Sequence, residues 1–487
     1  MKKTYIVLSA LLLTGFFNLS CSDEFIEVSP TEQVSAADLS LYNNNDGAKS
    51  FVNSIYAKFL DWDMSTFSWI GVTSITSDDA DKGSTPGDVG SDKDILDALT
   101  FTPSTPSFES LFSSNYQGIN RCNQALVYLP QLTNADEALR SRLAGEAKFL
   151  RAFMYFTLVR SFGDVPLIDH VPTSSPEDVE MQLTRKSKAD VYAFIEKDLL
   201  EAAAALPNKS EYAASDVGRA TKGAAHALLA KVYLYEKKWQ LAVDQCNLVT
   251  GYSLTPSFID IYKLSGENNA ESIFEIQGSG IETGKGIQQY TQVQGARGTG
   301  GWGWGFNTPT QNLFDAFTAE GDTERRDATI IRKGMTLYDG RVVGNDADNE
   351  YYNYKSYSSA YTTQASTDTN IRYLRFAEVL LIKAEALNEL GQTAAAIPLL
   401  NQVRERAKIN ATTASTQSDV RTAIWKERRL ELAFEHDRWF DLVRTGQAPA
   451  AMAANGKTFI VGKHEVFPLP QTFITEAKGR SKQNPLY

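Results

Sequence analysis

The chain is poor in the residues that most often carry chemistry. Four histidines (His170, His226, His436 and His464) are spread over 487 residues without ligand spacing, so nothing marks a histidine-built metal centre. Neither HExxH nor GxSxG occurs, which removes the motif-marked zinc hydrolases and nucleophile elbows. Of three cysteines, one is Cys21; the other two, Cys122 and Cys246, fall in helical patterns. A chain this long needs no disulfide staples, so both are expected as buried free thiols. No dense Lys/Arg run exists and the net charge is -11, which argues against a nucleic-acid partner. Past the N-terminal segment, no apolar stretch is long enough to cross a bilayer. What is abundant is aromatic: 21 Tyr, 25 Phe and 7 Trp, several of them in polar loops.

The N-terminus reads as an address. Met1-Lys2-Lys3 precedes an apolar run from Tyr5 to Phe17, a charged n-region and an h-region too short to span. Leu19-Ser20-Cys21 closes it and resembles the lipobox of bacterial lipoproteins. Residues 1–20 are then a signal peptide and Cys21 becomes an acylated N-terminus, with more chains than stable anchoring needs. Ser22-Asp23-Glu24 resembles the acidic signal that sends Bacteroidetes lipoproteins to the outer face of the outer membrane; a solvated linker would also use such residues.

The mature chain, 21–487, is expected to be one domain, mostly α-helical. From Asp136 to Phe162 the positions Leu139, Leu143, Ala147, Leu150, Met154 and Leu158 recur at threes and fours, and Gly163 and Pro166 end that helix. Thr184 is a candidate cap for the next, with a stripe from Val191 to Leu206. A third helical stretch runs from near Thr221 to about Val249. Two segments then share a register. Ala230, Tyr233, Lys237, Trp239, Ala242, Cys246 and Val249 have the spacing of Ala384, Leu387, Gly391, Thr393, Ala396, Leu400 and Val403. Small residues flanking a turn give the tetratricopeptide helix-turn-helix pattern. Repeat-like helices are therefore expected over about 136–250 and 371–445. Loop-rich, ligand-facing regions are expected over about 61–118 and 251–370, where aromatics argue against disorder.

Several stretches together resemble the SusD/RagB family of Bacteroidetes outer-membrane nutrient-binding lipoproteins. They are Glu146 to Ala152 running on to Phe162-Gly163-Asp164-Val165-Pro166-Leu167, Arg375 to Leu381 with Ala384 to Asn388, Asn401 to Arg404, Glu427 to Glu435, Arg438 to Arg444, and the closing Gln483-Asn484-Pro485. The resemblance spans essentially the whole mature chain. It implies an all-α, tetratricopeptide-like scaffold, a SusC-like TonB-dependent outer-membrane transporter as partner, and non-catalytic capture of an oligosaccharide. Family members that handle peptides keep the ligand class open.

A sugar presents C–H faces to aromatic rings and hydroxyls to planar polar groups. Three places offer that pairing. Gly300-Gly301-Trp302-Gly303-Trp304-Gly305-Phe306-Asn307 leaves two indoles uncrowded, so Trp302, Trp304 and Asn307 are candidates; a structural turn is the alternative. The GxGxxG match over Gly298 to Gly303 has neither the strand before it nor the helix after it that a dinucleotide site needs. The early loop offers Trp62, Trp69, Asp78, Asp79 and Asp81, where each Trp could instead pack inward. The run Tyr338, Tyr351, Tyr352, Tyr354, Tyr357 and Tyr361 offers Tyr354 and Tyr357, although alternation there also reads as strand. Asp346, Asp348 and Glu350 alternate like the start of a calcium loop, without the glycine and distal glutamate that would complete one. No other cofactor is expected.

Arg428, Glu431, Glu435 and Arg438 fall at threes and fours, so they are expected to pair along one helix face, packed by Leu432, Trp439 and Leu442. Carboxylates are numerous enough to keep a surface glycan hydrolase as a rival reading, and a pure protein-binding scaffold as a third.

Overall fold

The computed structural model describes residues 36–279, 286–359, 366–367 and 369–487. The signal segment 1–20, Cys21, Ser22-Asp23-Glu24 and Tyr361 lie outside the described residues. Helices α1 (Asn45–Lys58), α2 (Pro106–Tyr128), α3 (Glu137–Phe162), α4 (Lys188–Ala205), α5 (Lys222–Tyr235), α6 (Trp239–Leu248), α7 (Phe376–Glu389), α8 (Thr393–Arg406) and α9 (Gln417–Glu431) form the scaffold. Each packs on the next. The strands are short and pair only two at a time, so the architecture is all-α in the main. Among the described residues no helix is long and apolar enough to cross a membrane.

The shared register has a physical meaning here. It produces the hairpins α5–α6 and α7–α8, and α6 packs directly on α7 although more than a hundred residues separate them in sequence. Ala230, Ala242, Ala384 and Ala396 are all fully buried, where small side chains let paired helices approach. Lys237 and Gly391, equivalent in the register, turn each hairpin with φ 59° and 77°. The insertion 251–370 thus leaves and re-enters the stack between neighbouring helices.

Some local expectations change. Ser187, not Thr184, caps α4, accepting from the Asp190 amide; Thr184 instead follows a separate helix, Pro176–Leu183. Helix α2 begins inside the stretch expected to be loop. Its apolar stripe, Phe108, Leu111, Phe112, Tyr116, Ile119, Cys122 and Ala125, is buried, but so are Ser114, Asn115, Gly118 and Asn123. Those residues blur a period that relies on apolar contrast. Cys122 and Cys246 are buried free thiols, and burial pushes both above the usual thiol range.

The charged run near the C-terminus departs most from expectation. The helix stops at Glu431, and Phe434 and His436 take left-handed φ values of 62° and 71°. Its charges reach across the fold rather than along one face. Arg428 pairs with Asp441 at 2.9 Å, Glu431 with Arg375 at 2.9 Å and Arg325 at 3.0 Å, and Glu435 with Lys355 at 2.6 Å. Leu432, Trp439 and Leu442 are buried as expected. The partners Arg325 and Lys355 come from the insertion, so this buried network locks the insertion onto the helices.

His436 is enclosed in the same region. Its Nδ1 lies 3.1 Å from Thr73 Oγ1 and its Nε2 3.2 Å from Tyr290 Oη. Burial, only partly opposed by Asp437 and Glu435, lowers its pKa to about 4. The unfolded chain, with an ordinary histidine near 6.5, therefore binds more protons between those values. This stabilisation is complete above about pH 6.5 and is lost as pH falls toward 4, an effect of up to ~3 kcal/mol. His436→Asn, which tolerates the left-handed backbone, should flatten that acid limb in melts run from pH 7 to pH 4.5. An unchanged slope would remove His436 from the account.

Candidate functional site

The two loop-rich regions meet. Strand β1 (Ala80–Gly83) from the early loop pairs antiparallel with β2 (Phe306–Pro309) from the insertion, in the register Ala80↔Pro309, Asp81↔Thr308 and Gly83↔Phe306. The Gly/Trp run leads into β2. It folds back on residues 292–296 through Trp302 N→Ala296 O (2.8 Å), Trp304 N→Gln292 O (2.8 Å) and Gly305 N→Gly295 O (2.9 Å). Gly303 makes that fold possible, because a Cβ there would collide with the Gln292 carbonyl and with Gly295.

The turn sends its two indoles to different places. Trp304 lines a cleft of about 480 Å³ with Phe67, Asp88, Gly90, Ser91, Arg297, Gly303 and Phe306. Trp62, half-buried, braces it edge-on with ring centroids 6.1 Å apart. Phe67 continues the aromatic wall, 5.1 Å from Trp62 and 5.1 Å from Phe306. Beneath it the buried Lys93 ammonium lies 4.1 Å from the Phe67 ring centroid and 2.5 Å from Asp92, a desolvated cation–π contact that fixes the ring. Trp302 turns instead into a second cluster, 5.3 Å from Tyr357 and capped by the Arg341 guanidinium at 5.0 Å.

The polar rim is Arg297, Asp88 and Ser84. Arg297 Nη1 donates to Asp88 Oδ2 (2.8 Å) and to Ser84 Oγ (2.7 Å), and Ser84 Oγ donates to Asp88 at 3.0 Å. Asp348 approaches the Arg297 Nε at 3.4 Å. Burial raises the Asp88 carboxyl, but hydrogen bonds from Arg297, Ser84 and the Gly90 amide outweigh it and hold the group below the usual carboxylate range. The rim offers planar donors and acceptors beside an indole face, which is the pairing a sugar needs.

Other candidates from the sequence are corrected. Trp69 is buried against His436 at 5.5 Å. Asp78 is buried and held by Arg438 through two 2.7 Å hydrogen bonds, while Asp79 is held by Arg429. Asn307 is buried, with its Nδ2 donating to Gln294 Oε1 at 2.8 Å. Tyr354 and Tyr357 are buried in the second cluster, where Tyr354 stacks on Tyr338 and Tyr357 donates to Asp339. Asp81 is exposed but does not line the cleft. Asp348 turns to Arg297 and Glu350 lies 3.9 Å from Lys333, and no three His, Cys, Asp or Glu residues gather as potential metal ligands among the described residues. Asp88 and Arg297 were not singled out in the sequence. The signals that mark them are the Pro86-Gly87-Asp88 turn and the position of Arg297 five residues ahead of Trp302.

Fold and site together define a helical-repeat scaffold that presents an aromatic cleft on inserted loops. The SusD family model matches residues 270–487, and a second, described as starch-binding associating with outer membrane, matches residues 68–234. SusD-like protein P2 of Formosa agariphila is 28% identical over the full length of both chains. The starch-binding protein SusD of Bacteroides thetaiotaomicron is 25% identical, with 80% of each chain covered. A solved structure, a laminarin-binding SusD-like protein, superposes with a TM-score of 0.76 at 30% identity, covering 91% of this chain and all of the other. The chain belongs to the SusD family.

Proposed function

We propose that this protein is a lipid-anchored glycan-capture protein of the outer-membrane surface, which takes an oligosaccharide on the Trp304 cleft and passes it to a SusC-like TonB-dependent transporter. The observation that carries the reading is the half-buried Trp304 indole lining the cleft beside the Arg297–Asp88 rim. The laminarin-binding and starch-binding relatives support a glycan over a peptide as ligand. Capture without cleavage is supported by the placement of the two carboxylates. A glycosidase sets two carboxyls on either side of the scissile bond, whereas Asp88 and Asp348 both lean on one guanidinium.

Retention of the pure protein on polysaccharide affinity gels, with no new reducing ends released, is the expected result. Release of reducing ends would replace capture with hydrolysis, and retention only by peptide columns would favour the peptide-handling alternative. Cys21→Ser should move the protein from the membrane to the soluble fraction, since the acyl chains supply the anchoring energy; a variant still fully membrane-bound would contradict the lipid tether. Co-purification of a TonB-dependent transporter with the tagged protein tests the partner.

A further inference from the structure

We propose that Gln294 is a positioning residue of the capture site: its buried carboxamide clamps the base of the loop that carries Trp304 and so holds the indole against the cleft. The proposal rests on the glycan-capture reading and names what fixes its platform. Six of the eleven residues from Gly295 to Gly305 are glycine, so the loop's own backbone preferences hold little in place. Its two ends must be held instead. Gln294, fully buried at the N-terminal end, accepts on Oε1 from the Nδ2 of Asn307, at the other end in β2, at 2.8 Å. The same oxygen accepts from Asn353 Nδ2 at 2.9 Å, and Gln294 Nε2 donates to the Tyr290 carbonyl at 3.1 Å.

Asn307 stands at φ 57°, a left-handed backbone that asparagine tolerates, and among the described residues its side chain makes that one hydrogen bond. Asn353 lies on the strand Tyr351–Asn353, and its Oδ1 accepts from the Lys355 amide at 3.0 Å. Lys355 is in turn tied to Glu435, so the clamp is anchored to the buried ionic network rather than to another loop. The Trp304 amide hangs from the Gln292 carbonyl, two residues from Gln294, so a shift of the clamp passes to the indole. Val293 is buried beside it, but an apolar contact sets no direction, whereas two hydrogen bonds on one oxygen do. A platform held before the ligand arrives avoids the ordering cost on binding.

The test uses the full chain in detergent, labelled with 5-fluorotryptophan, and compares Gln294→Met, Asn307→Gly and Leu143→Ala with wild type. Methionine keeps the length of Gln294 without its carboxamide. Glycine keeps the left-handed backbone at position 307 and removes only the clamp's donor. Leu143, buried in α3, is the control for lost stability alone. Before any ligand is added, both clamp variants should shift or broaden the Trp304 fluorine resonance and leave those of Trp69 and Trp439 in place. Their affinity for the better retained of a β-glucan and a starch should fall about ten-fold. Leu143→Ala should lower the melting temperature and change neither readout. If Gln294→Met does not fold, Asn307→Gly carries the test. A Trp304 resonance unmoved in the folded clamp variants, moved without loss of affinity, or moved equally by Leu143→Ala overturns the positioning role and leaves glycan capture standing. Retention of neither polymer by wild type rejects glycan capture itself, whatever the resonance does.

Discussion

Arg375→Met should weaken the fold severely. Arg375 is 1% exposed and uses its whole guanidinium: Nε donates to Glu435 at 2.7 Å, Nη1 to Glu271 at 2.5 Å and to Glu431 at 2.9 Å, and Nη2 to Glu435 at 2.8 Å and the Glu431 carbonyl at 3.1 Å. Arg406 and Arg325 complete the neutralisation of Glu431, and Lys355 that of Glu435. Burial alone would raise the Glu431 carboxyl, but Arg406, Arg375, Arg325 and Lys355 hold it far below the usual range. Removing Arg375 strands buried carboxylates, at a cost of ~3–5 kcal/mol, which is a large fraction of the ~5–15 kcal/mol that keeps a domain folded. The network also joins the insertion to α7, α8 and α9, so the loss falls on the elements that carry the cleft. Arg421→Met, which removes a partly exposed pair with Glu389, is the matched control and should cost at most ~1 kcal/mol. Urea midpoints of the two variants compare them; equal midpoints would contradict the structural role given to the buried network.

Trp304→Ala should abolish most glycan retention while the protein still melts cooperatively. The indole is half-buried, so part of it supports the wall with Trp62 and part faces the cleft. Loss of one central aromatic platform typically costs about 2 kcal/mol of binding, roughly 30-fold in affinity. Trp62→Ala should weaken binding less, because that ring acts by bracing Trp304. Trp302→Ala should leave retention near wild type, since its ring faces Tyr357 rather than the cleft. Trp69→Ala should instead lower the melting temperature sharply, since truncation of a buried aromatic costs ~3–5 kcal/mol of stability. The four tryptophans, equivalent candidates in the sequence, thus separate into ligand platform, brace, neighbouring cluster and core.

That separation marks what sequence could and could not carry. Periodicity located α3 to α8 well, because their apolar stripes and the Ala230/Ala384 register state a helix pair directly. It failed at α2, where buried Ser114, Asn115 and Asn123 look like solvent-facing residues until their partners are known; Asn123, for example, donates to the Ile168 and His170 carbonyls. Charges misled in the opposite way. Asp78 reads as a sugar-binding carboxylate because Arg438, 360 positions away, is invisible to local spacing. Glu431 and Glu435 read as an ion-pair ladder along one helix face for the same reason. Within the Gly/Trp run, composition shows two indoles able to bind, but only the backbone bonds to residues 292–296 decide which one faces the cleft. The Arg297–Asp88 rim joins segments more than 200 residues apart, so no window of sequence contains it.

The feature most exposed to test is therefore Trp304 itself. Replacing the seven tryptophans with 5-fluorotryptophan gives each indole its own fluorine resonance, assigned by single Trp→Phe variants. On titration with a retained glycan, the Trp304 signal should move most and Trp62 should follow, while Trp69 and Trp439, buried in the core, stay in place. Saturating glycan that shifts Trp302, Trp239 or Trp425 and leaves Trp304 unmoved would contradict capture at this cleft.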